Sequence, residues 1–355
     1  MNTEDKLVVI RSFAQEILTE QELKKLFDSK KNIIAYDGFE PSGNPHIAQG
    51  LIRAININKL TGLGIKFKMF VADWHAWANN KYGGDLDKIQ TCGKYLIEVW
   101  KASGMDLKKV EFVWASDLVK DPEYWKMVME IARSTTIKRI IRTGQIMGRK
   151  EEEVLQSSQL LYPLMQAADI FYLNVDIAQL GMDQRKVNVL AREIGEKLFG
   201  RKPVAVHHHM LLGLKEPPKD VEDRMMALKM SKSRPETAIF MMDSGKIVEE
   251  KVRNAYCPEG VIEENPILDY ARQIIFEKFK TFKIERPKKY GGEIEFSNYE
   301  ALEEAFKDRK IHPLDLKIAV AEKINELLEP VRVHFQKNDE ARNLFKKVQS
   351  FAVTR

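Results

Sequence analysis

The chain has 355 residues, 44% hydrophobic and 31% charged, with a formal net charge of +5. These are the proportions of a soluble globular protein long enough for two domains with proper cores, and no apolar run reaches the length of a membrane span. Cys92 and Cys257 are far apart and lack a partner motif, which argues against a disulfide framework or a cysteine zinc site, and the first residues carry no signal-peptide pattern, so a reduced, cytoplasmic setting is expected.

Residues 5–30 read as helical, with a break near Thr19, giving an N-terminal helix pair. Asn32-Ile33-Ile34-Ala35-Tyr36 reads as a short buried strand. The stretch from Asp37 to Gly50 is rich in turn formers, and residues 51–60 are apolar at helical spacing. A strand, a glycine turn and a helix start together make a site for anionic groups, because the first N–H groups of a helix are unpaired. The bland alternative is an ordinary strand-to-helix connection. Residues 66–73 read as a second strand, ending in Trp74-His75-Ala76-Trp77. Residues 85–103 read as a helix and residues 110–115 as a third strand. This alternation implies a parallel α/β sheet with ligands at the carboxyl ends of its strands, here Tyr36, Asp37 and Gly38, and Asp73, Trp74 and His75.

Residues 122–149 are helical and basic, with Arg142 among the cations. They break the alternation and read as an insertion; by composition alone the charges are a solvated face. Residues 160–171 form an apolar helix on which Tyr162, Gln166 and Asp169 share one stripe. If buried, these groups need hydrogen-bond partners, either as a core network or as a small polar pocket with a buried carboxylate. Residues 171–176 read as a fourth strand, leading through Gln179-Leu180-Gly181 to a helix whose first turn carries Asp183, Gln184, Arg185 and Lys186. Val204 to His209 reads as a strand end. Its consecutive histidines, His207, His208 and His209, point to alternate faces and cannot converge on one ion.

Residues 215–227 read as an exposed loop. It leads into Lys229-Met230-Ser231-Lys232-Ser233, a cationic loop able to close over a phosphate chain. From Ser244 onward the strands stop. Residues 246–256, 266–279, 299–306, 313–328 and 339–351 read as helices, with a short extended piece at 291–296. The expected organisation is an α/β unit over residues 1–240 and a mostly helical unit over 241–355.

Pro45-His46-Ile47-Ala48-Gln49-Gly50 and Lys229-Met230-Ser231-Lys232-Ser233 together resemble the two signature motifs of class I aminoacyl-tRNA synthetases. The second matches letter for letter. The first has Ala48 and Gln49 where the family pattern has glycine and a second histidine. Tyr36-Asp37-Gly38-Phe39-Glu40-Pro41-Ser42-Gly43, Leu161-Tyr162-Pro163-Leu164-Met165-Gln166-Ala167-Ala168-Asp169 and Gly181-Met182-Asp183-Gln184-Arg185-Lys186 are similar to tyrosyl-tRNA synthetases of the archaeal and eukaryotic cytosolic kind. The similarity continues through Lys289-Tyr290-Gly291-Gly292 and His312-Pro313-Leu314-Asp315.

The resemblance implies a Rossmann-like catalytic domain followed by a helical anticodon-binding domain. It implies tyrosine activation with ATP and Mg²⁺, then transfer to tRNA(Tyr). Tyr36, Gly38, Tyr162, Gln166, Asp169 and Gln184 match tyrosine-binding positions, with Asp169 and Tyr36 on the phenol. Gly38, Glu40, Ser42, Gly43, His46, Ala48, Gly50, Gly181 and Asp183 match ATP-binding positions. So do Lys229, Met230, Ser231, Lys232 and Ser233. His46, Gln49, Lys229 and Lys232 match catalytic positions, and no protein metal site is implied. Arg142 and Arg185 match positions near the tRNA acceptor end. Tyr290, His312 and Asp315 match positions that read an anticodon base. Residues 118–160 match the family's dimer-forming insertion, so a homodimer is expected. The rivals are a tryptophanyl-tRNA synthetase, in which the Tyr36 donor is surplus, and an RNA-binding derivative without catalysis.

Overall fold

In the computed structural model, which describes residues 1–148, 156–219, 224–232 and 234–351, the chain is built around a six-stranded sheet. Arg149, Lys150 and Ser233 lie outside the described residues, as does the side chain of Tyr290. In chain order the first half runs α1 (Thr3–Arg11), β1 (Ala14–Leu18), α2 (Glu20–Ser29), β2 (Ile34–Phe39), α3 (Arg53–Gly62), β3 (Lys66–Val71), α4 (Asp73–Ala78), α5 (Leu86–Ala102), β4 (Val110–Trp114), α6 (Ala115–Leu118), α7 (Pro122–Ser134) and α8 (Ile137–Thr143). It continues with α9 (Ser157–Tyr172), β5 (Ile177–Gly181), α10 (Arg185–Phe199), β6 (Val204–His208) and α11 (Arg224–Leu228). The strand order is β1-β6-β5-β2-β3-β4. All neighbours are parallel except β1, which runs antiparallel along β6. The chain reverses its direction of strand addition between β2 and β5, so the crevice beyond their carboxyl ends is the natural ligand position.

Several expectations are corrected. The N-terminal helix pair is interrupted by β1, because Ala14 to Leu18 pair with the edge of β6, a partner invisible to local pattern. The second strand stops at Val71, and Asp73 starts α4 by accepting the Trp74 and Ser116 N–H groups, both at 3.0 Å. The fourth strand is Ile177–Gly181, not residues 171–176. Helix α9 runs on to Tyr172, and the chain then turns at Asn174, whose φ is 56°. The Asp176 carboxylate ends that turn, accepting from Ile34 N at 2.9 Å and Lys30 Nζ at 2.7 Å. The basic insertion is two helices, since Thr136 caps a new start by accepting the Arg139 N–H at 3.3 Å. The exposed loop at 215–227 gives way to α11 at Arg224.

The second half comprises α12 (Gly245–Arg253), α13 (Pro266–Tyr270), α14 (Phe276–Lys278), β7 (Phe282–Ile284), β8 (Ile294–Phe296), α15 (Tyr299–Lys307), α16 (Pro313–Lys337) and α17 (Asp339–Ser350). Strands do not stop at Ser244: β7 and β8 pair as an antiparallel hairpin. One core cluster lies behind the crevice and includes Tyr36, Tyr124, Met165 and Leu180. Another runs from Ile47, Leu51 and Tyr95 through Met241 to Phe335 and Val348, joining the turn after β2 to the last helices. Each such fully buried side chain contributes about 1.5–3 kcal/mol, so this cluster ties the two halves of the sequence together.

Candidate active site

The apolar helix α9 lays Tyr162, Gln166 and Asp169 into the crevice, all at least nine-tenths buried. Asp169 is 1% exposed and accepts from Tyr124 Oη at 2.8 Å. Its second oxygen lies 3.0 Å from His75 Nε2 at the start of α4. Tyr36 comes from β2 and is fully buried. Burial raises its pKa far above the ordinary phenol range, and the Asp169 charge adds to that, while Gln166 pulls the other way. Tyr36 Oη, Asp169 Oδ2 and Gln166 Oε1 are buried without an aligned hydrogen-bond partner. Gln166 Nε2 donates to Gln184 Oε1 at 3.1 Å, and Gln184 Nε2 to the Ile146 carbonyl at 3.2 Å. The result is a buried cluster with a hydroxyl and a carboxylate at one place and neutral amide oxygens at another. Such groups cost free energy unless a ligand satisfies them, so the cluster suits a phenol and an ammonium.

The turn after β2 forms the neighbouring wall. Pro45 to Ile47 are pinned by the segment after the cationic loop: Ile47 N donates to Ile239 O, and Met241 N to Pro45 O, both at 2.9 Å. Gly50 lies so close to Met241 that an added Cβ would sit 2.3 Å from its sulfur. His46 is buried and its Nδ1 lacks a partner. Burial first, then the charges of Lys232 and Lys229, hold its pKa well below the usual histidine value, which favours the neutral ring. Gln49 turns its side chain back to accept the His46 N–H at 3.4 Å. Lys232 Nζ donates to the Ser42 carbonyl and lies 3.5 Å from Ser42 Oγ. Lys229 pairs with Asp183 at 2.9 Å, just past Gly181, where an added Cβ would lie 2.7 Å from Asp183 Oδ1. Met230 anchors the loop, buried, with its N–H on Leu211 O at 2.9 Å. Ser231 continues the loop, accepting the Arg234 N–H at 3.3 Å. Desolvation lowers the Lys232 pKa to about 8, with Lys81 adding to the effect.

A buried polar cluster and a cationic turn therefore meet at the sheet's switch point. A family model described as "tRNA synthetases class I (W and Y)" matches residues 28–329. Tyrosine--tRNA ligase of Sulfurisphaera tokodaii is 46% identical over all of this chain and 99% of its own length. The chain belongs to the tyrosyl-tRNA synthetase family. Cytoplasmic tyrosine--tRNA ligase 2 of Arabidopsis thaliana is 48% identical over 99% of this chain; the chain spans 46% of that longer relative. A crystal structure of tyrosyl-tRNA synthetase from Pyrococcus horikoshii, complexed with L-tyrosine, superposes with a TM-score of 0.90. It has 41% identity and covers 98% of this chain and all of the other.

The other residues expected to have site roles are placed as follows. Glu40 accepts from Asn79 at 2.8 Å, beside Lys81 at 4.0 Å. Gly38 packs by Phe70 and Tyr36, where a Cβ would make ordinary contacts at 3.7 and 3.8 Å. Ala48 is half-buried in a π-turn before α3. Arg185 Nε donates to both carboxylate oxygens of Glu16 in β1, at 2.8 and 3.0 Å. Arg142 sits in the last turn of α8. His312 caps α16, accepting the Leu314 N–H at 3.2 Å, with Asp315 in the first turn. Each histidine of β6 and its end has its own polar neighbour. His207 lies 2.9 Å from both Glu16 and Asn188, His208 lies 2.6 Å from Gln179, and His209 lies 3.1 Å from Asp269.

Sequence reasoning missed Tyr124, the contact of His75 with Asp169 and the buried Asp37–Arg53 ion pair. His75 lay at a strand end expected to face ligand, which was signal enough to suspect it. Tyr124 opens the basic insertion and meets Asp169 only through the fold. Burial lowers the Arg53 pKa to about 10, with Asp183 opposing, and the guanidinium lies over the Phe39 ring, 5.3 Å from its centroid.

Proposed function

We propose that the chain joins L-tyrosine to ATP as tyrosyl-adenylate and then transfers the tyrosyl group to tRNA(Tyr). The observation that carries this reading is the presence of two buried, unpartnered polar atoms, Tyr36 Oη and Asp169 Oδ2, together with Lys232 on the turn after β2. The substrate phenol donates to Asp169 and accepts from Tyr36. Tyr162, Gln166 and Gln184 hold the ammonium with neutral oxygens. Phenylalanine leaves the Asp169 and Tyr36 groups unsatisfied. The tyrosine carboxylate attacks the α-phosphate, a P–O bond forms, and the bond to pyrophosphate breaks with its electrons on the leaving oxygen. Lys229 and Lys232 stabilise that charge, and His46, neutral, donates a hydrogen bond. Asp183 faces the ribose. The hydroxyl at the tRNA end then attacks the acyl carbon, releasing AMP.

ATP enters as its Mg²⁺ complex, which neutralises phosphate charge. Among the described residues no group of three or more His, Cys, Asp or Glu is placed to cage an ion. Arg142 and Arg185 lie toward the acceptor end, and Tyr290, His312 and Asp315 toward the anticodon. Residues 1–240 form the catalytic unit and 241–355 the anticodon-binding unit. The insertion supports a homodimer, since α7 and α8 leave Met129 61% and Ile137 69% exposed. No described helix is long and apolar enough to cross a membrane, and the reading places the protein in the cytoplasm. Charging of tRNA(Tyr) with labelled tyrosine tests the whole reading. Wild-type protein is expected to form acid-stable, base-labile tyrosyl-tRNA, and its failure to do so with active tRNA overturns the reading.

A further inference from the structure

Between α4 and α5 the chain makes a tight turn at Lys81–Gly84. Asn80 and Tyr82 there have φ of 60° and 52°, left-handed values that non-glycine residues hold only where their surroundings demand it. Tyr82 is 7% exposed, and its hydroxyl accepts the Gly43 N–H at 2.6 Å. The same hydroxyl points to Cys92 Sγ at 3.7 Å, and the Cys92 thiol donates to the Gly43 carbonyl at 3.5 Å. Both backbone polar groups of Gly43, itself at φ 56°, are thus tied to one corner. The preceding residue, Ser42, is held from the other side by Lys232. The outer face of the Tyr82 ring meets Phe351 edge-on, with centroids 5.6 Å apart. Phe351 directly follows α17, which packs on the α5 helix that carries Cys92.

We propose that Tyr82 is a positioning residue for ATP: it fixes the turn at Ser42 and Gly43 on which the triphosphate rests, and Phe351 braces its ring from the C-terminal helices. The inference rests on the ATP site proposed above. Tyr82 does not reach substrate; it acts by setting the shape of the turn. A purely structural role predicts loss of stability with both substrates affected alike. A positioning role predicts an effect confined to ATP.

The test uses the full chain and tyrosine-dependent ATP–pyrophosphate exchange. Tyr82→Phe leaves the Gly43 N–H unpaired and is expected to raise KM for ATP about tenfold with KM for tyrosine unchanged, alongside a fall of a few degrees in melting temperature from the unpaired group. Phe351→Ala keeps the hydroxyl and is expected to raise KM for ATP by a smaller factor, again without moving KM for tyrosine. If Tyr82→Phe does not fold, Phe351→Ala decides. A wild-type KM for ATP in the variant that folds, or a parallel rise for both substrates, overturns the inference. Absence of exchange in the wild type instead overturns the functional reading and leaves no doubt which of the two has failed.

Discussion

Replacing Asp169 with Asn changes one atom at the base of the amino-acid pocket. Asp169 is 1% exposed, so no water compensates for the change. The amide keeps an oxygen for Tyr124, now at 2.8 Å from Asp169 Oδ1, and replaces Oδ2 with an N–H₂ group. The substrate phenol then meets a donor where it needs a charged acceptor. A hydrogen bond to a charged group contributes about 1.5–3 kcal/mol, so kcat/KM for tyrosine is expected to fall roughly 10- to 100-fold. Phenylalanine has no hydroxyl to lose, so its kcat/KM stays nearly constant and the preference for tyrosine collapses by the same factor. ATP–pyrophosphate exchange with each amino acid measures both. A tyrosine kcat/KM equal to wild type, or an equal fall for phenylalanine, refutes the assignment of Asp169 to the phenol.

Lys232 carries charge in the free protein below about pH 8 and loses it above, because desolvation lowers its pKa. The kcat/KM for ATP in exchange is therefore expected to fall on the alkaline side of pH 8, and Lys232→Arg moves that limb upward; identical profiles for both contradict the role. Lys232→Ala is expected to abolish exchange while leaving tRNA binding nearly intact. Arg53→Met strands the fully buried Asp37 carboxylate and is expected to cost about 3–5 kcal/mol in chemical denaturation, with Asp37→Asn in the same chain recovering part of it. Arg185→Ala is expected to raise KM for tRNA in charging without changing exchange, and Glu16→Gln to leave Arg185 freer for tRNA; a fall in exchange for either places the pair in the wrong step.

Much of the site was legible because its residues are close in sequence or share one helix. Tyr162, Gln166 and Asp169 are polar positions on an apolar helix, and the structure buries all three. The turn from Asp37 to Gly50 announces itself by glycine and proline between a strand and a helix. Tyr124, His75 and Tyr82 were illegible as partners, because each touches the site through a contact made only when distant segments pack. The β1 strand was hidden for the same reason: Ala14 to Leu18 continue a locally helical pattern, and the edge of β6 decides otherwise. The position of β5 was missed because residues 171–176 and Ile177–Gly181 are both apolar, and Asn174 at positive φ breaks them apart. Gln49 also reads differently in three dimensions. It caps its own helix start at His46, so the charge at this turn comes from the lysines.

The central claim is that the buried Tyr36 and Asp169 groups select a phenol for adenylation. ATP–pyrophosphate exchange by the wild-type chain with tyrosine, phenylalanine and tryptophan in parallel tests it most directly. Exchange with tyrosine alone is the predicted result. Exchange with tryptophan but not tyrosine, or equal exchange with phenylalanine, contradicts it.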